Sequence, residues 1–351
     1  MKNLLNKLRD NNYLSYDELL KVIENIDGYK DILFQYAVDV RKKYYGTDVY
    51  MRGLIEFSNY CSKNCKYCGL RRDNKKVKRY RLSTEEILDC CKEGYRLGYR
   101  TFVLQSGEDP YFDDEKLISL VKKIKKNFNE AAITLSIGER SFESYKKLKN
   151  AGVDRYLLRH ETASEDLYKS LHKDMSFSNR RKCIKALKDL NYQVGAGFMV
   201  GLPNQTNKDL VRDLLFLKGL EPEMVGIGPF ISHPDTPLGE FENGTVEKTR
   251  IMLALTRLLL PKVLLPSTTA LGTLDNLGRE KALKSGANVV MPNLSPTSVR
   301  KDYEIYKDKI CTGDEAAHCR KCIEGRINSA GYKVNMDRGD HISLQKFKKY
   351  I

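Results

Sequence analysis

The sequence predicts an α/β fold, a (β/α)8 TIM-type barrel with N-terminal helices before it and a C-terminal extension after it. Three observations carry this expectation. Eight short β-rich runs recur along the chain, amphipathic helical stretches separate them, and polar motifs fall just after the runs. Strands alternating with helices argue for a parallel sheet, and eight of them close it into a barrel whose strand ends hold the active site. The 351 residues suffice for one large barrel, and the apolar fraction of 41% permits a large core. An open doubly wound sheet is the alternative.

Residues 1–45 read as helices, because Leu4, Leu5 and Leu8, then Leu19, Leu20, Val22 and Ile23 after Ser15, recur at helical intervals. The barrel is expected over 46–300, with strands at 49–57, 101–105, 132–136, 155–158, 193–200, 224–227, 264–267 and 288–291. Helical patterns at 84–97, 113–126, 142–150, 207–217 and 246–260 lie between them. Residues 301–351 form the extension. At the mouths stand Ser106-Gly107-Glu108-Asp109, Ser136, Arg159-His160-Glu161-Thr162, Gly201-Leu202-Pro203, His233-Pro234-Asp235-Thr236, Thr268-Thr269 and Met291-Pro292-Asn293. Helix capping alone accounts for some of these, but not for Arg, Glu and Thr at so many mouths.

Composition narrows the class. No apolar run approaches bilayer length, and the N-terminus meets Lys7, Arg9 and Asp10 too early for a signal peptide, so the expected location is cytoplasmic and no membrane is involved. The net charge of +15 invites a nucleic-acid reading, but the lysines are dispersed over outer helix faces and no RNA-binding motif is present. Attraction of acidic partners or anionic substrates fits better.

The loop after the first run carries Cys61, Cys65 and Cys68 in the spacing C-x3-C-x2-C, with Tyr67 before the last. Three local thiolates can hold three irons of a 4Fe–4S cluster and leave the fourth open to chelation by the amine and carboxylate of S-adenosylmethionine (SAM). A zinc site would need a second Cys or His pair nearby, yet Cys90 and Cys91 lie in a helical pattern. With 9 cysteines and no signal peptide, a disulfide framework is disfavoured. Cys311, Cys319 and Cys322 form a second set, open by chemistry to zinc with His318, to an iron–sulfur site, or to three unpaired thiols.

The segments CGLRRDN, VLQSGEDP, YLLRHETA, GAGFMVGLPNQT, MVGIGPFISHPDTPL, STTALGT and VVMPNLSP, spread from about Val49 to Cys322, together resemble the HydE family. These are radical-SAM maturases that help build the diiron site of FeFe hydrogenase, with biotin synthase and methylornithine synthase as relatives. The resemblance implies reductive SAM cleavage to a 5′-deoxyadenosyl radical by a cluster on the catalytic cysteines Cys61, Cys65 and Cys68. It implies that Tyr67, Ser106, Gly107 and Glu108 approach the cofactor, that Glu161 meets the SAM amino or sulfonium region, and that Arg180 pairs with its carboxylate. Met199, Met224 and Tyr303 would line the adenosine pocket. Cys311, Cys319 and Cys322 match an auxiliary cluster, 2Fe–2S or 4Fe–4S, that some members carry and others lack. The implied substrate is a small organometallic molecule, a cysteine-bound iron complex with carbon monoxide and cyanide. Other hydrogenase maturases and a reducing donor of flavodoxin or ferredoxin type are the implied partners.

For the substrate, Arg155 and Arg159 are four residues apart along one strand, so both side chains can face the same side. Together inside a barrel they would be costly without an anion. Thr268, Thr269 and Ser136 add hydroxyls, and Met291 completes the pocket. Structural pairing of the arginines with Glu161 or Asp235 is the alternative. Rival functions are a radical-SAM enzyme acting on an amino acid, by methylornithine synthase-like isomerisation or biotin synthase-like sulfur insertion, and a non-catalytic iron–sulfur scaffold or carrier.

Overall fold

A computed structural model describes residues 1–345. Helices α1 (Lys2–Asn11), α2 (Tyr16–Glu24) and α3 (Lys30–Tyr45) lead the chain, as their leucine spacing predicts. Ser15 and Glu18 form a reciprocal capping box on α2. The strands are β1 (Asp48–Met51), β2 (Gly53–Ser58), β3 (Thr101–Ser106), β4 (Ala132–Ser136), β5 (Arg155–Leu157), β6 (Gln193–Ala196), β7 (Met199–Val200), β8 (Met224–Val225), β9 (Gly228–Pro229), β10 (Val289–Val290) and β11 (Lys333–Asn335). Helices α4 (Thr84–Arg96), α5 (Asp114–Asn127), α6 (Phe142–Ala151), α7 (Glu165–Leu171), α8 (Phe177–Asp189), α9 (Asn207–Leu220) and α10 (Val246–Leu259) connect them. Side chains of Ser83, Asp113, Ser141, Ser176, Thr206 and Thr245 cap six of these seven helices.

Strands β2, β3, β4, β5, β6 and β8 pair in that order, every pair parallel. The circuit continues through single parallel bridges, Met224 to Leu264, Pro266 to Val289 and Leu54 to Asn293. The expected seventh strand at 264–267 is therefore present as a path and not as a regular ladder, since Pro266 brings no N–H to it. Two other expected strands are interrupted. The run 193–200 breaks at Gly197, whose φ is 152°, and 49–57 breaks at Arg52. The fully buried Arg52 guanidinium reaches Met224 Sδ at 2.9 Å and Gly339 O at 3.0 Å.

The extension is bound to the barrel. Its strand β11 pairs with β1, and residues 338–341 cross beneath the strand starts. There Thr101 Oγ1 donates to Arg338 O at 2.7 Å, and His341 N donates to Gln193 Oε1 at 3.0 Å. The lower end is thus floored by chain, and the C-terminal strand ends form the open mouth. Among the described residues no helix is long and apolar enough to cross a membrane.

Candidate active site

The cysteine loop leaves β2 and is fixed by its own flanks. Arg79 donates to the carbonyls of Leu70 (3.0 Å), Arg71 (2.8 Å) and Asn74 (3.1 Å), clasping the turn after Cys68. Gly69 is required there, because a Cβ would stand 2.1 Å from Glu304 O. Gly107 is required for the same reason: a Cβ would lie 2.2 Å from Tyr60 O and 2.7 Å from the Cys61 Cβ. The Ser106-Gly107-Glu108 turn therefore packs directly on the first cysteine. Burial pushes the Cys61 and Cys65 thiols up and Cys68 up to about 12, with neighbouring cysteines adding to the shift for Cys65 and Cys68. Iron binding at these sulfurs takes the thiolate form, so it is coupled to loss of their protons.

One cavity of about 390 Å³ runs from these cysteines and Tyr67 across the strand mouths. Ser106, Gly107, Glu108, Glu161, Arg180, Met199 and Met224 line it, and so do Ser136, Arg159, Thr268, Thr269 and Met291. Glu108 rests against Gly138, accepts from Glu139 N at 3.1 Å and lies 3.4 Å from Lys63 Nζ. Burial raises its carboxyl, against Arg180 and Lys63. Arg180 is 6% exposed, so it is not on a solvated helix face. Its Nε donates to Glu139 Oε1 at 2.7 Å and its Nη1 to Arg159 O at 2.9 Å. Burial opposes its charge, but Tyr168 and the carboxylates of Glu139, Glu161 and Glu108 hold the guanidinium above its ordinary range.

Glu161 sits at φ 66°, held by hydrogen bonds from its N–H to Gly197 O (3.0 Å) and from Met199 N to its carbonyl (3.2 Å). Such a backbone costs on the order of 1 kcal/mol or more, and it aims the carboxylate into the cavity mouth. Arg159 Nη2 lies 3.0 Å from Glu161 Oε2 but off the hydrogen-bond axis. Charge holds the two together while Arg159 Nε and Nη2 and Glu161 Oε2 keep their bonding capacity. Thr268 Oγ1 is likewise buried without a partner, whereas Thr269 Oγ1 accepts from Arg279 Nη2 at 3.3 Å.

Three expected site residues lie elsewhere. Arg155 does not join Arg159 in the cavity. It occupies the first position of β5, on the floor, 2.6 Å from Asp340 Oδ1 and bonded to Thr101, Gln193 and Arg338 O. Tyr303 is buried and does not line the cavity, whereas Gln105 does. Cys322 is exposed, whereas Cys311 and Cys319 line the cavity. Cys311, at φ 65°, has its thiol pulled down by the Cys319 S–H and by Arg279, whose Nη2 is 3.5 Å away. His318 is exposed, and among the described residues no three Cys, His, Asp or Glu side chains converge on a single-ion site. Sequence reading missed Glu139, His172 and the buried pair of Lys309 Nζ with Glu56 Oε1 at 2.6 Å, which Asn293 also braces. No local motif marks any of them.

The Radical SAM superfamily pattern matches residues 55–217. Over 324 residues, 92% of each chain, the sequence is 50% identical to the "[FeFe] hydrogenase maturase subunit HydE" of Thermotoga maritima. The chain belongs to the HydE family. As a HydE-family radical SAM enzyme it is also 30% identical, over 78% of each chain, to a 3-methylornithine synthase of Methanosarcina acetivorans. The crystal structure of methylornithine synthase (PylB) superposes with a TM-score of 0.83 at 25% identity, covering 99% of this chain and 100% of that one. The family implies a 4Fe–4S cluster and SAM. The residues fit them: three thiols share one loop, and Arg159, Glu161 and Thr268 present polar atoms without hydrogen bonds to the same cavity.

Proposed function

We propose that this HydE-family enzyme acts on a cysteine-bound iron complex bearing carbon monoxide and cyanide, and that its product goes to the diiron subcluster of FeFe hydrogenase. When bound, the 4Fe–4S cluster and SAM supply a 5′-deoxyadenosyl radical. Cys61, Cys65 and Cys68 hold three irons. Glu108, Glu161 and Arg180, beside Tyr67, Ser106 and Gly107, take the polar methionine end of SAM, and Met199 and Met224 the apolar wall. Arg159 and Thr268 hold the anionic end of the substrate, with Ser136, Thr269 and Met291 around it. The closed walls exclude water from reactive species.

The observation that carries this reading is one continuous cavity with three thiols at one end and, within it, Thr268 Oγ1 and the Arg159 guanidinium, which is ion-paired to Glu161 but makes no hydrogen bond through Nε or Nη2. The relative from Thermotoga maritima supports the assignment to hydrogenase maturation. Cys311 and Cys319 on the cavity wall, with the exposed Cys322 one turn beyond Cys319 on the same helix, are proposed as ligands of an auxiliary iron–sulfur cluster outside the catalytic step. Work in the cytoplasm, with a flavodoxin- or ferredoxin-type donor and the other hydrogenase maturases, completes the reading. The test is anaerobic reconstitution followed by assay of 5′-deoxyadenosine and of hydrogenase maturation. The wild type is expected to give both and Cys65→Ala neither. Deoxyadenosine at the wild-type rate from Cys65→Ala would remove the cluster from these cysteines, and SAM cleavage without any support of maturation would remove the substrate.

A further inference from the structure

His172 meets the cysteine loop through a single polar contact. Its Nδ1 stands 3.2 Å from Cys65 Sγ, while its Nε2 is buried with no partner. The side chain is 2% exposed and cannot turn freely. Tyr168 stacks on the ring at a centroid distance of 4.4 Å and 29°, and Tyr67 meets it edge-on at 5.4 Å and 88°. The backbone fixes both partners to each other. His172 N donates to Tyr168 O at 3.0 Å at the end of α7, and Lys66 N donates to Leu171 O at 3.0 Å. Ring and cysteine thus belong to one braced unit, and among the described residues the sulfur is the ring's only hydrogen-bond partner.

We infer that His172 donates its Nδ1–H to the Cys65 thiolate when that thiolate holds iron, and thereby raises the reduction potential of the cluster. An iron-bound thiolate offers no proton, so the contact is a hydrogen bond only if Nδ1 carries the hydrogen. The tautomer then leaves Nε2 as a bare lone pair, which agrees with its lack of any acceptor. One-electron reduction adds negative charge to the cluster and its sulfur ligands. A fixed N–H at sulfur stabilises the reduced form more than the oxidised form, which is how hydrogen bonds set iron–sulfur potentials. His172 is a positioning residue in this role. The inference rests on the reading that Cys61, Cys65 and Cys68 hold the cluster.

The experiment is an EPR-monitored redox titration of the reconstituted full chain without SAM, with iron and sulfide analysis of each sample. His172→Phe keeps a ring for Tyr168 and Tyr67 and removes the donor, while His172→Asn keeps an N–H near the position of Nδ1. For His172→Phe the reduction equilibrium is expected to become about tenfold less favourable, about 59 mV on a one-electron couple. His172→Asn is expected to recover part of that shift. A fully loaded His172→Phe protein at the wild-type potential would overturn the inference. Should that variant fail to take up the cluster, pulsed EPR of reduced wild type labelled with ¹⁵N-histidine decides the matter. A histidine nitrogen coupled to the cluster supports the inference, and its absence overturns it. A wild type that binds no more iron than Cys65→Ala overturns the cluster reading itself, and iron analysis tells that failure from the other.

Discussion

Arg155 and Arg159 share a side of the barrel yet have different neighbours, because four residues of strand span about 13 Å. Arg155 lies on the floor with its guanidinium filled by Asp340, Gln193, Thr101 and a carbonyl. Arg159 lies at the mouth with Nε and Nη2 unfilled. Replacing Arg159 by Leu is expected to weaken substrate binding by about 2–4 kcal/mol, the scale of a charge-assisted contact in a desolvated site. SAM affinity is expected to change less than substrate binding, since Arg180 stays braced by Glu139 and by the Arg159 carbonyl, although Glu161 loses the Arg159 charge at 3.0 Å. Titration of SAM and assay of maturation by Arg159→Leu separate the two effects. Loss of SAM binding in that variant would assign Arg159 to the cofactor, and full maturation would remove it from the mechanism. Spacing alone made the shared side of these arginines legible, but not their depth. The cysteine motif was legible because all three thiols stand in one loop. His172 and Glu139 were not, because their partners are 107 and 41 residues away in the chain.

At the level of elements, periodicity located the strand paths and most helices, and Asp113 and Ser15 marked helix starts that the structure keeps. What it did not reveal was the floor, because residues 338–341 make no repeating pattern and act through single long-range bonds. Asp340 is central to it, with Arg155 Nη2 at 2.6 Å and Arg338 Nε at 2.9 Å. Burial works against its charge, but Arg155 and Arg338 hold its carboxyl well below the usual carboxylate range. Its folded pKa is therefore lower than the unfolded value of about 3.9. The stabilisation is present above about pH 4 and is lost as pH falls below that toward the folded value. Asp340→Asn removes the ion-pair partner of the buried Arg155 guanidinium, while Arg338 keeps Asp154 at 2.8 Å, and it is expected to cost about 3–5 kcal/mol at pH 7. Urea unfolding at pH 7 and again below pH 4 checks this, with the gap between variant and wild type narrowing in acid. An unchanged midpoint at pH 7 would show that the floor is held by its backbone alone.

For the molecule as a whole, the net charge of +15 sets how charged partners approach. Fields between exposed charges are screened beyond about 10 Å at 0.1 M salt. Reduction by an acidic flavodoxin- or ferredoxin-type donor is therefore expected to slow as salt rises, while reduction by an uncharged photoreductant holds steady. Stopped-flow bleaching of the cluster across a salt series measures both, and a flat response to the protein donor would dismiss electrostatic steering. The barrel itself was legible from eight alternations, but its closure depends on single bridges such as Leu54 to Asn293 that no local pattern encodes. That closure also has a timetable. Synthesis at about 5–20 residues per second puts roughly 2–10 s between Asn293, which closes the ring, and Asp340, which fills its underside. Until then the underside that Asp340 and Arg338 cover is expected to present Arg155, Gln193 and Asp154, the partner of Arg338 at 2.8 Å, in place of a greasy opening. Hydrated charges are poor templates for sticking to other chains, so the same groups that later lock the floor are expected to guard the unfinished barrel against aggregation while it waits.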